Sequence, residues 1–366
     1  MAKSSARRRT LCSAMSRPVT VFLNGSFVEP DSATISALDA GVQHGVGVFD
    51  TLLGGVSAAT LGRRAAGAPL PTDALEGVWA VQLEEHVERI ADSARQLGLS
   101  AGVSRSALAE AVLATLDRAA LPRARVRVTL TAGPSDALAA ARAGAGPAGE
   151  LPGTVMIVAT PATRYPPSLM RQGVRVSIAD ARANPFNPTE GHKTLGYWWR
   201  LRELASAASK HAAEALVFSV TNHLCGGCVS SVLLIRDGQA LTPIARGEEA
   251  AAIAEPRSVP ALSSPALPSP VLPGITRLWA IQELAGAGVV THRRALTIRD
   301  VLDAHEILLT NSSWGVLPVA SVEAEPVGSG PRAGKVGPLG AMLADRWQEM
   351  LVALSGEGGH ADGELA

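Results

Sequence analysis

Thr189-Glu190-Gly191-His192-Lys193-Thr194-Leu195-Gly196-Tyr197-Trp198-Trp199 is the stretch on which the reading of this chain turns. Lysine is scarce: Lys3, Lys193, Lys210 and Lys335 are the only four among 366 residues. Arginine carries the other basic charge and cannot deprotonate, so it cannot form a Schiff base. An amine nucleophile needs a lysine that can lose its proton in a partly desolvated pocket. Lys3 lies in a polar tail, Lys335 in a Gly/Pro-rich stretch, and Lys210 near the end of a helical pattern. Lys193 alone has His192, Tyr197 and two tryptophans around it. Residue types by themselves leave an ordinary, partly exposed lysine as the open alternative.

Downstream, Leu195, Trp198, Leu201, Ala205 and Ala208 recur at helical spacing over 195–209. Ala215 to Val220 reads as a strand, and Leu224-Cys225-Gly226-Gly227-Cys228 leads into a hairpin turning at Asp237-Gly238. H-K-T-L-G-Y, then a helix, then a hairpin ending D-G-x-x-L-T-P resembles the class IV pyridoxal-phosphate (PLP) enzymes. That family holds branched-chain and D-amino-acid aminotransferases and aminodeoxychorismate lyase. The resemblance spans about Phe22 to Val319. It implies an α/β fold with α+β elements, in which a smaller N-terminal and a larger C-terminal domain hold PLP between them. It also implies that Lys193 bonds covalently to PLP and shuttles the Cα proton, with Tyr197 hydrogen-bonding near the cofactor ring. A homodimer and an amino-acid or amino-chorismate-like substrate follow from the same likeness.

Composition agrees with a globular enzyme. The chain is 47% apolar and 18% charged, long enough for two cores. Zero formal net charge argues against nucleic acid or anionic lipid as a partner, since both call for a basic face. No apolar run approaches the roughly eighteen residues of a membrane span. Cys12, Cys225 and Cys228 do not make a secreted disulfide framework, so the cytoplasm is the expected compartment.

Residues 1–18, with Arg7-Arg8-Arg9, lack the apolar core of a secretory signal. They read as a disordered tail or as sequence ahead of a start at Met15, with a short organellar targeting segment as the alternative. An N-terminal α/β domain is expected over 19–159. Strand Val19–Leu23 turns at Asn24-Gly25, and Phe27-Val28 begins the return strand. Ile35 to Thr51 carries D-x-G, x-G-x-G and F-D-T in order, which resembles the family's opening signature before a strand that enters the site. The Gly/Ala/Pro-rich segment 54–80 reads as an insertion loop. Helices are expected over 83–97 and 104–119, and strands over 126–130 and 155–159. Segment 137–152 reads as a low-complexity excursion, and 160–168, with three prolines, as the linker. The C-terminal domain then covers 169–354, with an insertion at 246–270 and a tail at 355–366.

A phosphate site is written into two stretches. Leu272-Pro273-Gly274-Ile275-Thr276-Arg277 precedes a helical pattern; free N–H groups and the positive end of the helix dipole suit an anion there. Gly274 lets the backbone close on the ligand, and the resemblance assigns the phosphate to Ile275 and Thr276, to a second loop at Thr310, Asn311 and Ser312, and to Arg89 on helix 83–97. A guanidinium fork fits phosphate oxygens bidentately, although a solvated helix arginine is the open alternative. Trp314 either packs or lines the substrate pocket.

One position breaks the family pattern. The family keeps the PLP ring nitrogen protonated with a Glu in the hairpin, in a pattern ending N-[LV]-F-x-[VI]-x-D-G. Anchoring on Asp237-Gly238 puts Gly226 at that Glu and Ser231 at the Asn. Either another group takes the role, or the protein holds PLP with impaired catalysis. His223, Cys225 and Cys228 offer three metal ligands where a structural zinc wants four, so the pair reads as small residues in a hairpin and no metal is assigned. The expectation is a PLP-dependent aminotransferase acting on amino acids, branched-chain substrates among them. A lyase of the aminodeoxychorismate type is the alternative, and a PLP- or metal-binding family member impaired by Gly226 is a third reading.

Overall fold

A computed structural model describes residues 18–67, 75–99, 103–134, 153–250 and 268–356. The strands are β1 (Thr20–Leu23), β2 (Ser26–Val28), β3 (Gly47–Val56), β4 (Val78–Ala80), β5 (Ala124–Thr131) and β6 (Val155–Pro161) in the first sheet. The second sheet holds β7 (Val174–Ala183), β8 (Glu214–Ser219), β9 (Leu224–Gly227), β10 (Ser231–Arg236), β11 (Gln239–Thr242), β12 (Thr291–Arg293), β13 (Glu306–Asn311), β14 (Gly315–Val322) and β15 (Glu325–Pro326). Helices are α1 (Ala40–His44), α2 (Ala58–Ala65), α3 (Leu83–Gln96), α4 (Arg105–Ala119), α5 (Pro167–Gln172), α6 (Trp198–Ser209), α7 (Ile275–Gly286), α8 (Ile298–Leu302) and α9 (Pro338–Ser355).

The first sheet runs in the order β2-β1-β6-β5-β3-β4, with every pairing antiparallel. Alternation decides its faces: Val126 and Val128 of β5 are buried and join Val87, Ile90 and Ala94 of α3 and Leu108, Val112 and Leu116 of α4 in one core. Burying the Val, Ile and Leu side chains among these is worth roughly 1.5–3 kcal/mol each. Arg125 and Arg127 point to the opposite face by the same alternation. Ser104 caps α4 by accepting from the Ala107 N–H at 3.3 Å, as the helix-start pattern of the sequence suggests.

The second sheet runs β12-β11-β10-β13-β14-β7-β8-β9, with β15 beside β14. Its β14–β7 and β7–β8 pairs are parallel; β8 is buried along its whole length, whereas β7 exposes Arg175, Asp180 and Arg182. A second core under this sheet gathers Leu216, Leu234, Leu309 and Leu317. A third spans the two halves of the chain, packing Leu53, Trp79 and Val81 with Leu233, Trp279 and Trp347.

Three expectations need correction. Segment 54–80, read as an insertion loop, holds the end of β3, helix α2 and strand β4 among its described residues. Ser57 caps α2 by accepting from Thr60 N–H, and the Ala/Leu/Arg composition that looked like loop favours helix. The helix expected from 195 begins at Trp198, because residues 193–195 pair with β3 instead: Lys193 O accepts from Phe49 N–H at 2.8 Å and Leu195 N–H donates to Gly47 O at 2.9 Å. Segment 160–168 is shorter as a connection, since β6 runs to Pro161 and α5 starts at Pro167. Residues 1–17, the segment 137–152, and 251–267 within the expected insertion lie outside the described residues.

Candidate active site

The pairing with β3 carries the lysine segment across to the first sheet, so Lys193 sits where the two sheets meet. A cavity of about 370 Å³ opens there. Lys193, Arg89, Tyr197, Gly274, Ile275, Thr276, Thr310, Asn311 and Ser312 all line it. The sequence scattered these residues from position 89 to position 312, and the fold brings every one of them to one place.

Lys193 Nζ lies 4.9 Å from the Phe49 ring centroid and 5.7 Å from that of Tyr197. Burial first, then the neighbouring Arg89, lowers its pKa to about 8. Phe49 and Tyr197 meet edge to face at 5.3 Å, and the Tyr197 hydroxyl donates to Cys228 O at 3.1 Å. Burial raises the Tyr197 pKa, so it stays a phenol. His192 Nδ1 lies 2.9 Å from Ser93 Oγ, and burial, then Arg246, lowers its pKa to about 4. It is therefore a neutral hydrogen-bonding partner rather than a cation.

Arg89 is held rigidly from behind. Its Nε and Nη2 donate to Asp50 at 2.9 and 2.6 Å, and Nη1 donates to Pro273 O at 2.9 Å. One N–H on each Nη remains for a ligand in the cavity. Asp50, fully buried, also receives His86 Nδ1 at 2.9 Å. Burial alone would raise the Asp50 pKa, but Arg89 and then His86 hold it well below the usual carboxylate range. His86 Nε2 continues to Ser312 Oγ at 3.3 Å. The chain of contacts from β3 through α3 thus reaches the turn after β13.

Gly274 is the N-cap of α7 and supplies no side-chain cap, which leaves the first-turn N–H groups facing the cavity. Thr310 Oγ1 is buried without a partner among the described residues. Asn311 differs from the rest: its side chain is already used, donating to Val229 O and accepting from Ser313 and Trp314 N–H. Trp314 does not line the cavity; it packs edge to face on Tyr165 at 5.9 Å.

Residues 75–251 and 260–322 match the family described as amino-transferase class IV. The chain belongs to this family. The branched-chain-amino-acid aminotransferase of Pseudomonas aeruginosa is 24% identical over 319 residues, which are 86% of this chain and 89% of that protein. A branched-chain amino acid aminotransferase of T.th., solved with pyridoxamine 5'-phosphate, superimposes with a TM-score of 0.71 at 22% identity, covering 93% of this chain and 95% of that one. A 4-amino-4-deoxychorismate lyase from Pseudomonas aeruginosa superimposes with a TM-score of 0.64 at 22% identity, covering 90% and 98%. At such identities the solved structures show a shared fold.

Within this class IV aminotransferase fold, sequence reading missed the arginines of β5. Arg125 and Arg127 line the cavity beside Arg89 and Arg200, and the Arg127 guanidinium stacks 3.7 Å above the Phe49 ring centroid. Arg89 is paired with Asp50 and Arg200 with Glu190, whereas Arg125 and Arg127 form no ion pair among the described residues. The i, i+2 spacing of two arginines in an alternating strand was the available signal. None of the described residues lining the cavity is Asp or Glu. Cys225 and Cys228 are free, and burial pushes both thiols up to about 12, which makes them poor nucleophiles.

Proposed function

We propose that this chain is a PLP-dependent aminotransferase of amino acids, with Lys193 as the residue that bonds the cofactor. The observation that carries the reading is the lysine itself, a desolvated amine with a lowered pKa facing a cavity lined by arginines and free of lining carboxylates among the described residues. The residues present fit a phosphorylated aldehyde. The open N-terminus of α7, the orphan hydroxyl of Thr310 and the two spare N–H groups of Arg89 converge on one end of the cavity, where a phosphate would be held.

When bound, PLP supplies an electron sink for negative charge at the substrate Cα. The remaining work falls to side chains. Lys193 Nζ takes the proton from the substrate Cα and returns it, a role suited to an amine titrating near neutral pH. Tyr197, fixed by Cys228 O, and Phe49 wall the lysine on its apolar side and keep bulk water from Nζ. Arg125 and Arg127 offer the charge that orients an amino-acid carboxylate. Arg89, Gly274, Ile275, Thr276, Thr310 and Ser312 hold the phosphate, and Asn311 shapes the turn that presents two of them.

Branched-chain amino acids as substrates are supported by the names of the relatives, and aminodeoxychorismate lyase remains the second reading from the shared fold. A homodimer is supported by the exposed Trp198 and Leu201 of α6, apolar surface that suits a second copy, with Leu201 also lining the cavity. A cytoplasmic enzyme is supported by the free Cys225 and Cys228; no helix among the described residues is long and apolar enough to cross a membrane. The test is reconstitution with PLP and an amino-donor panel. A visible absorbance band that Lys193→Ala abolishes, with turnover of an amino acid and a keto acid, is the expected result. Absence of the band in the wild type refutes the reading.

A further inference from the structure

The family pattern places a carboxylate at position 226 to meet the ring nitrogen, and Gly226 leaves that nitrogen without its usual partner. Gly226 has φ +146°, and a Cβ there would lie 2.8 Å from Ser230 O. No side chain fits at 226 on this backbone, so the partner must come from elsewhere. Glu214 of β8 is fully buried beside the same hairpin. Its Oε1 accepts from Ala215 and Cys228 N–H at 3.0 Å each, and its Oε2 from Val229 N–H at 3.1 Å and the Ser230 hydroxyl at 3.0 Å.

We propose that the Ser230 hydroxyl, backed by the Glu214 carboxylate, is the group that meets the PLP ring nitrogen in this protein. The inference rests on the PLP reading above. Ser230 lines the cavity, and donating its own proton to Glu214 leaves its oxygen lone pairs free to accept from a protonated ring nitrogen. The negative charge then stands one hydroxyl behind the ring instead of against it. Gly227 belongs to the same device. A Cβ at 227 would collide with Ser230 Oγ and lie 2.8 Å from Glu214 Oε2, so only glycine admits the pair.

The other polar groups of the hairpin wall are less suited. Ser231 Oγ packs directly against Gly274, so closely that a Cβ there would collide with it, and this is the α7 end proposed for the phosphate. The Cys225 and Cys228 thiols are weak partners for a cation while protonated. Burial raises the Glu214 pKa overall, against the pull of its three backbone N–H donors and Ser230. All four neighbours are donors, so it is the carboxylate anion that they satisfy. Glu214 acts through Ser230 and is a positioning residue.

The test uses protein reconstituted with PLP carrying ¹⁵N in the ring, with the ring-nitrogen resonance and the cofactor band recorded at neutral pH. In the wild type and in Ser230→Thr, which keeps the hydroxyl, the resonance is expected in the protonated range. In Ser230→Ala and Glu214→Gln it should move toward the unprotonated range while the visible band persists. Should Glu214→Gln fail to fold, Ser230→Ala decides alone, because it leaves the three backbone bonds to Glu214 in place. The same resonance in wild type and Ser230→Ala overturns the inference and leaves PLP binding standing. A wild type that takes up no PLP overturns both.

Discussion

Cofactor-free protein should capture PLP at a rate that rises with pH only to about 8 and then levels. Lys193 sets the inflection, since burial first and Arg89 second lower its pKa from 10.5 to about 8. At about 1.4 kcal/mol per pKa unit, that lowering from 10.5 to about 8 amounts to about 3 kcal/mol against the charged form. At pH 7 such an amine is ~10% neutral, against ~0.03% for an unperturbed lysine, a gain of roughly 300-fold in the reactive species. The assay follows growth of the visible band under excess PLP across pH 6–11. A simple amine of ordinary pKa titrated alongside corrects for ionisations of the cofactor itself. The second-order rate constant reports the free protein, as kcat/KM does for a free enzyme.

The same shift has a thermodynamic face. Between pH 8 and 10.5 the unfolded chain still holds the proton that folded Lys193 has released, so cofactor-free stability rises with pH across that window, by at most about 3 kcal/mol. Arg89→Ala removes a repelling cation and leaves buried Asp50 less neutralised. Both changes favour charged lysine, so the inflection should move upward toward 10.5. A wild-type rate that keeps climbing through pH 10, or an inflection unmoved in Arg89→Ala, would refute the argument that burial and Arg89 tune this amine.

Three further outcomes are expected. Asp50→Asn strands the Arg89 cation beside a neutral amide in a buried setting, which should cost about 3–5 kcal/mol and weaken PLP retention, measured by thermal melts and by dialysis of the holoenzyme. Glu248→Gln should cost a similar amount, about 3–5 kcal/mol, because fully buried Arg277 holds it at 2.8 Å beside Thr242 and Pro243; an unchanged melting temperature would contradict this. Gly226→Glu, the substitution that restores the family residue, should lower stability by about 1–3 kcal/mol through backbone strain without raising turnover, and faster amino-group transfer in that variant would show that the hairpin opens to accept a side chain.

What the sequence showed and what it hid divide along a physical line. Lys193, Gly274 to Thr276 and Thr310 to Ser312 lie in short contiguous strings, where backbone and side chain serve one local purpose, and such strings survive as readable motifs. Arg125 and Arg127 stand in a strand whose alternation was legible, but the face they share becomes a site wall only when β3 and the lysine segment close over it. Asp50 belonged to a recognised string, yet its work of locking Arg89 and His86 depends on α3 lying against β3. Glu214 was hidden most completely. It sits well before Gly226 on another strand, and nothing in a linear pattern says that β8 and β9 pair Val217 with Gly226. The carboxylate rooted on β8 fills the space behind the hairpin, and Gly227, where a Cβ would lie 2.8 Å from Glu214 Oε2, is what keeps that space open. A missing acid in the hairpin therefore does not mean a missing charge at the site. Where a small residue replaces a catalytic one in a sheet, the volume it vacates is reachable from the neighbouring strand, about 4.8 Å away, and the search for its substitute belongs there before activity is written off.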